Sequence, residues 1–103
     1  MTAGSGKPDP MLAEWFAREP VVFYPAGEEL ADGPLATAGW YVDPFCDPGC
    51  CRPDGPFPTE AEARAWSRAL ASAYLKGDDA ACAALRKEAL ALYAAAVKAA
   101  REA

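Results

Sequence analysis

The chain has 103 residues, with 10 Lys and Arg against 15 Asp and Glu, a formal net charge of −5 and a hydrophobic fraction of 52%. That is enough for one domain with one modest core, the more modest because much of the apolar fraction is alanine. An acidic chain repels phosphate backbones, which argues against nucleic-acid binding, and no apolar run reaches the roughly eighteen residues of a membrane-spanning helix.

Residues 1–58 hold 3 basic and 9 acidic side chains, and residues 59–103 hold 7 basic and 6 acidic ones. All ten prolines and seven of the eight glycines precede Thr59. The expectation is a loop-rich acidic front half attached to a regular helical back half. The acidic half either faces a basic partner or confers solubility.

Residues 1–8 are small and polar with Gly and Pro, so a disordered tail is expected, followed by a single domain over 9–103. No apolar stretch follows Lys7, so no secretory signal is read and a cytoplasmic protein is expected. Asp9-Pro10 is a helix start, with proline at the first helical position. The helix runs through Arg18 and is stopped by Pro20. Leu12, Trp15 and Phe16 share one face of it. That face either docks on the core or presents Trp15 as an aromatic anchor for a partner.

Val21-Val22-Phe23-Tyr24 reads as a strand, β-branched and aromatic between prolines. Residues 26–38 read as a loop. Its adjacent Glu28 and Glu29 are not a catalytic pair, because nothing nearby would split their pKa values; they read as a solvated loop, or as part of an acidic surface offered to a protein partner. Gly39-Trp40-Tyr41-Val42-Asp43 reads as a second strand. Trp40 and Val42 face the core, and Tyr41 and Asp43 face outward. Residues 44–56 are too rich in turn residues for a regular element, although Gly55-Pro56-Phe57 is placed beside Trp40 as a short third strand.

Thr59-Glu60-Ala61-Glu62 has the form of a capping box. Ala63, Trp66, Leu70 and Ala73 then share a helical face. Gly77 stops that helix, and Asp78 caps a second one in which Cys82, Leu85, Ala89, Leu92, Ala96 and Ala99 recur at three- and four-residue spacing. Eighteen of the 45 residues from 59 to 103 are alanine, so the backbones can approach closely as antiparallel neighbours. The expected fold is α+β: a two- or three-stranded antiparallel sheet packed on a C-terminal helical hairpin, with a short N-terminal helix.

Cys46, Cys50 and Cys51 are the one grouping that invites a metal. Three thiolates within six residues could bind zinc, with Cys82 or an aspartate as fourth ligand. A zinc knuckle needs two cysteine pairs, each separated by two to four residues; here the first gap has three residues, but Cys51 is directly adjacent to Cys50 and no second pair follows. Distance also weighs against Cys82: it should lie about 21 Å along the first hairpin helix from Thr59, against about 26 Å for the fully extended step from Cys51 to Thr59. A loop disulfide is disfavoured in a reducing compartment. Free thiols and no cofactor are the preferred reading, with a zinc module as the alternative.

There is no histidine, so Ser-His and Cys-His pairs cannot form within the chain and the usual near-neutral base is missing. Gly4-Ser5-Gly6-Lys7 lacks the strand and helix that a phosphate loop needs. A non-enzymatic protein is expected, one that binds a protein partner or itself through Tyr41 and Phe45, with Trp15, Glu28 and Glu29.

Gly55-Pro56-Phe57-Pro58-Thr59-Glu60-Ala61-Glu62-Ala63 resembles the strand-to-helix junction of small β-hairpin–helix domains. It also resembles the "GPF…EA" phrase of sporulation-related, peptidoglycan-binding repeats. The likeness covers about ten of 103 residues, and no function is carried over. The Ala, Pro and Gly content resembles that of proteins from GC-rich bacterial or phage genomes.

Overall fold

A computed structural model of the chain describes residues 10–30, 33–44 and 52–102. The expected tail, Phe45, Cys46, Cys50 and Cys51 lie outside these residues. The order is α1 (Pro10–Ala17), β1 (Val21–Tyr24), β2 (Glu29–Leu30), β3 (Gly33–Pro34), β4 (Gly39–Val42), β5 (Asp54–Phe57), α2 (Glu60–Leu75) and α3 (Asp79–Glu102). The fold is α+β. A three-stranded antiparallel sheet, ordered β1-β4-β5, packs against the helical hairpin, with α1 beside α2.

The hairpin forms by the signals that its sequence carries. The Thr59 hydroxyl accepts from the Glu62 amide at 3.2 Å and donates to the Glu62 carboxylate at 3.3 Å. The return arm of the box therefore ends on the hydroxyl rather than on the Thr59 amide. Gly77 takes a φ of 71°, a left-handed conformation that only glycine adopts without cost. Asp78 Oδ1 then accepts from Ala81 N at 3.0 Å and caps α3. Arg64 and Arg68 both reach Glu19, which ties the α1–β1 link to the outside of α2.

The core is where α2, the sheet and the first half of α3 meet. Val42, Phe57, Ala63, Trp66, Leu70 and Ala89 are buried there, with Trp40, Cys82, Leu85 and Leu92 partly buried around them. Ala99, expected on the same stripe, is exposed. The sixteen residues of α2 run alongside only about the first sixteen of the 24 in α3, so the last turns project past their partner.

The opposite sheet face departs from expectation. Within residues 26–38, expected to be a loop, the described ones include the antiparallel pair β2–β3, and Thr37 reaches Tyr41 on this face of the sheet. Gly27 donates to the Leu35 carbonyl and Leu35 to the Glu28 carbonyl, both at 2.8 Å. Leu35 is buried. Tyr41, expected to face solvent, is fully buried. Its hydroxyl donates to the Thr37 carbonyl at 2.7 Å, its ring lies 5.9 Å from that of Tyr24, and burial raises its pKa. A bulge in β5 closes the third side. Trp40 pairs with Phe57 and Val42 with Asp54, so three steps on β5 oppose two on β4. Within the bulge Gly55 has a φ of 141°, and a Cβ there would lie 2.8 Å from the Trp40 carbonyl oxygen and 3.0 Å from the Tyr41 ring. Only glycine lets β5 come this close.

Candidate functional site

Seven of the eight residues of α1, PMLAEWFA, are apolar, yet none is fully buried. A helix that is apolar on nearly every side is normally enclosed. Among the described residues α2 is the one helix or strand packed along it, and α1 forms a ridge between two clefts.

The first cleft runs between α1 and the end of α2. It has a volume of about 520 Å3 and a floor of Ala13, Phe16, Ala17, Ala71 and Leu75. Glu19, Arg68 and Lys76 form a charged rim. Leu75 is 47% exposed, and Met11, at the start of the same ridge, is 66% exposed. Phe16 stays in place by packing on Tyr74, with ring centres 5.8 Å apart.

The second cleft, of about 410 Å3, opens on the other side of α1. Leu12, Trp15, Phe16, Val42, Leu70 and Tyr74 make its apolar walls. Asp43, Asp54, Asp79, Arg52 and Arg86 bring charge to it, and Cys82 lies in it as well. Trp15 donates its indole N–H to the Asp43 carbonyl at 3.2 Å. The Tyr24 hydroxyl donates to the Asp43 carboxylate at 2.8 Å. Burial first, then this bond to a carboxylate, pushes the Tyr24 pKa up to about 12. Asp54 faces Arg86 at 3.9 Å. Burial raises the Asp54 pKa, and Arg86 acts in the opposite direction. The Cys82 thiol is also pushed up, chiefly by burial.

The residues singled out in the sequence fall apart spatially. Trp15 stands on the ridge and wall. Tyr41 is in the interior, so the surface proposed around its ring is withdrawn: a fully buried ring meets no partner. Glu28 and Glu29 follow the far end of β1 and line neither cleft.

The distance argument against Cys82 is also corrected. That argument follows the chain from Thr59 along α2. Instead β5 runs against α3, where Asp54 meets Arg86. Pro44 and Arg52, which bound the cysteine-bearing segment, therefore line the same cleft as Cys82. Among the described residues, no three Cys, Asp or Glu side chains are grouped as metal ligands.

Met11, Leu75, Asp54 and Arg86 were not singled out in the sequence. Leu75 had a signal, since it falls off the stripe of Ala63, Trp66, Leu70 and Ala73. Asp54 stands in the sequence only as part of the turn-rich stretch 44–56. Compared with protein-family models, with curated proteins and with solved structures, the chain matches none. No helix among the described residues is long and apolar enough to cross a membrane.

Proposed function

We propose that this is a small acidic, non-enzymatic accessory protein that binds a protein partner through the α1 ridge. The observation that carries the reading is the apolar helix with no fully buried residue. Aromatic and methionine side chains at the centre of a patch, with charge at its rim, are the composition of a protein-binding surface. The cleft between α1 and α2 suits an amphipathic helix laid in a groove. Arg68 and Lys76 on the rim favour a partner helix with an acidic flank. The absence of histidine supports a binding rather than a catalytic role.

The double variant Met11→Glu, Leu75→Glu tests this. Both positions are exposed, so folding stability should change by less than about 0.5 kcal/mol each. Association with the partner captured from source cells, or self-association in sedimentation, should be lost. A variant that folds and still associates as wild type contradicts the proposal.

The second reading is a zinc module, favoured by the cleft that Cys82 shares with both ends of the cysteine-bearing segment. Metal content of untagged protein separates the two. Near-stoichiometric zinc that is lost in Cys82→Ser supports the module, and metal-free protein of unchanged stability in chelator removes it.

A further inference from the structure

Phe23 is the one aromatic side chain classed as exposed among the described residues, at 50%. Alternation along β1 puts it with Val21 on the side of the sheet that meets α2. Val21 packs on the core there, whereas the Phe23 ring is left uncovered. Trp40, its partner across the strands, is part-buried and stands edge-on to it, with ring centres 5.4 Å apart.

A third cleft opens at these rings, of about 390 Å3, and Gly39, Pro56, Phe57 and Pro58 complete its walls. It belongs to the Trp40–Phe57 end of β4 and β5, away from the Val42–Asp54 end that leads to residues 45–51. Neither Met11 nor Leu75 lines it, so it is separate from the contact proposed at α1.

The cleft has a polar feature, a shape and a charge. Trp40 Nε1 has no acceptor among the described residues. It is also not a buried orphan, since Ser67 Oγ is the one such atom among those residues. The indole N–H therefore reaches solvent and is free to donate. Flat rings facing proline rings make an apolar slot, and aromatic-lined slots take prolines. No Lys or Arg lines the cleft. The exposed Glu62 borders it, with its carboxylate 3.3 Å from the hydroxyl of Thr59, the residue after Pro58.

A polyproline segment has solvated carbonyls and no internal hydrogen bonds, so it can give the indole its acceptor. A helix has spent its carbonyls internally. A strand could add to the free edge of β1, but that edge has four residues, closed by Pro20 and Pro25, and short edges bounded by proline resist pairing.

We infer that this cleft binds a proline-rich segment of another protein, in the polyproline conformation and with a basic residue at its flank. Its prolines lie on the Phe23 and Trp40 rings, a carbonyl accepts from Trp40 Nε1, and the basic residue meets Glu62.

Two fluorescein-labelled peptides, RPPPPPR and EPPPPPE, and an alanine-based helical peptide with two arginines test the inference by anisotropy. The shift of the Trp40 indole N–H locates the site. RPPPPPR should saturate that shift, and EPPPPPE should bind about tenfold more weakly. The helical peptide should leave Trp40 unmoved. Phe23→Ala should weaken RPPPPPR about tenfold, as loss of an aromatic anchor does. Trp40→Phe keeps a ring but removes the donor, and about fivefold is expected. Glu62→Gln keeps the capping oxygen; it should weaken RPPPPPR about threefold and tighten EPPPPPE. Opposite effects on two peptides cannot come from impaired folding. The inference is overturned if no peptide saturates the Trp40 shift, if the helical peptide or EPPPPPE binds as tightly as RPPPPPR, or if Glu62→Gln moves both proline peptides in the same direction. It is also overturned if the wild type is a dimer that Phe23→Ala dissociates, since the occupant is then a second copy.

Discussion

Trp66→Ala is expected to cost about 3–5 kcal/mol of folding free energy, the range for large aromatic truncations in a core. Trp66 is 4% exposed at the centre of α2. Its ring lies 5.5 Å from that of Phe57, and its indole N–H donates to the Leu85 carbonyl at 3.0 Å. One side chain therefore joins α2, β5 and α3. Packing outweighs polarity here. An indole buries on the order of 200 Å2, worth about 5 kcal/mol at 25 cal/mol per Å2, whereas the hydrogen bond is worth about 1 kcal/mol net. Trp66→Phe should accordingly keep much of the stability that Trp66→Ala loses. Urea unfolding measures both. A loss below about 1 kcal/mol for the alanine variant would place Trp66 outside the core.

Tyr41→Ala is expected to act on folding rather than on association, again at a cost of about 3–5 kcal/mol. The ring fills the space between the sheet, Thr37 and Gly55, and no part of it reaches solvent. Emptying that space removes the contact with Thr37 as well as the ring itself. Tyr41→Phe keeps the packing but leaves the Thr37 carbonyl without its donor, so about 1–2 kcal/mol is expected. Melts of the two variants check the order. A Tyr41→Ala protein as stable as wild type, but impaired in association, would restore the ring to the surface.

The elements whose structure depends on near neighbours were legible in the sequence. The cap at Thr59, the stop at Gly77, the cap at Asp78 and the strand at Val21–Tyr24 are each set within a few residues, and each stands where its signal put it. The third strand at Asp54–Phe57 also stands beside Trp40. What failed was long-range. Alternation along β4 gave the two faces correctly, with Val42 in the core and Tyr41 opposite. Alternation cannot say whether another segment covers the second face. That depended on backbone bonds between Gly27, Glu28 and Leu35, which leave no periodic trace. The Cys82 distance failed for the same reason. It assumed that the loop followed α2, whereas the β5 bulge and the Asp54–Arg86 approach bring the chain beside α3. Of the candidate site, Trp15 was legible because an aromatic helix before a proline stop has few uses. Met11 was not, because its exposure is set by what α2 leaves uncovered, and Leu75 showed only as a residue off the α2 stripe.

The central claim is that the uncovered side of α1 is a protein contact, and site-specific photo-crosslinking in source cells tests it most directly. A photoreactive residue at position 75, in the cleft beside α1, is compared with one at position 98, on the exposed projecting end of α3. The account predicts a discrete adduct from position 75, either with one other protein or with a second copy, and no such adduct from position 98. Equal adducts from both positions, or none from position 75, would contradict it.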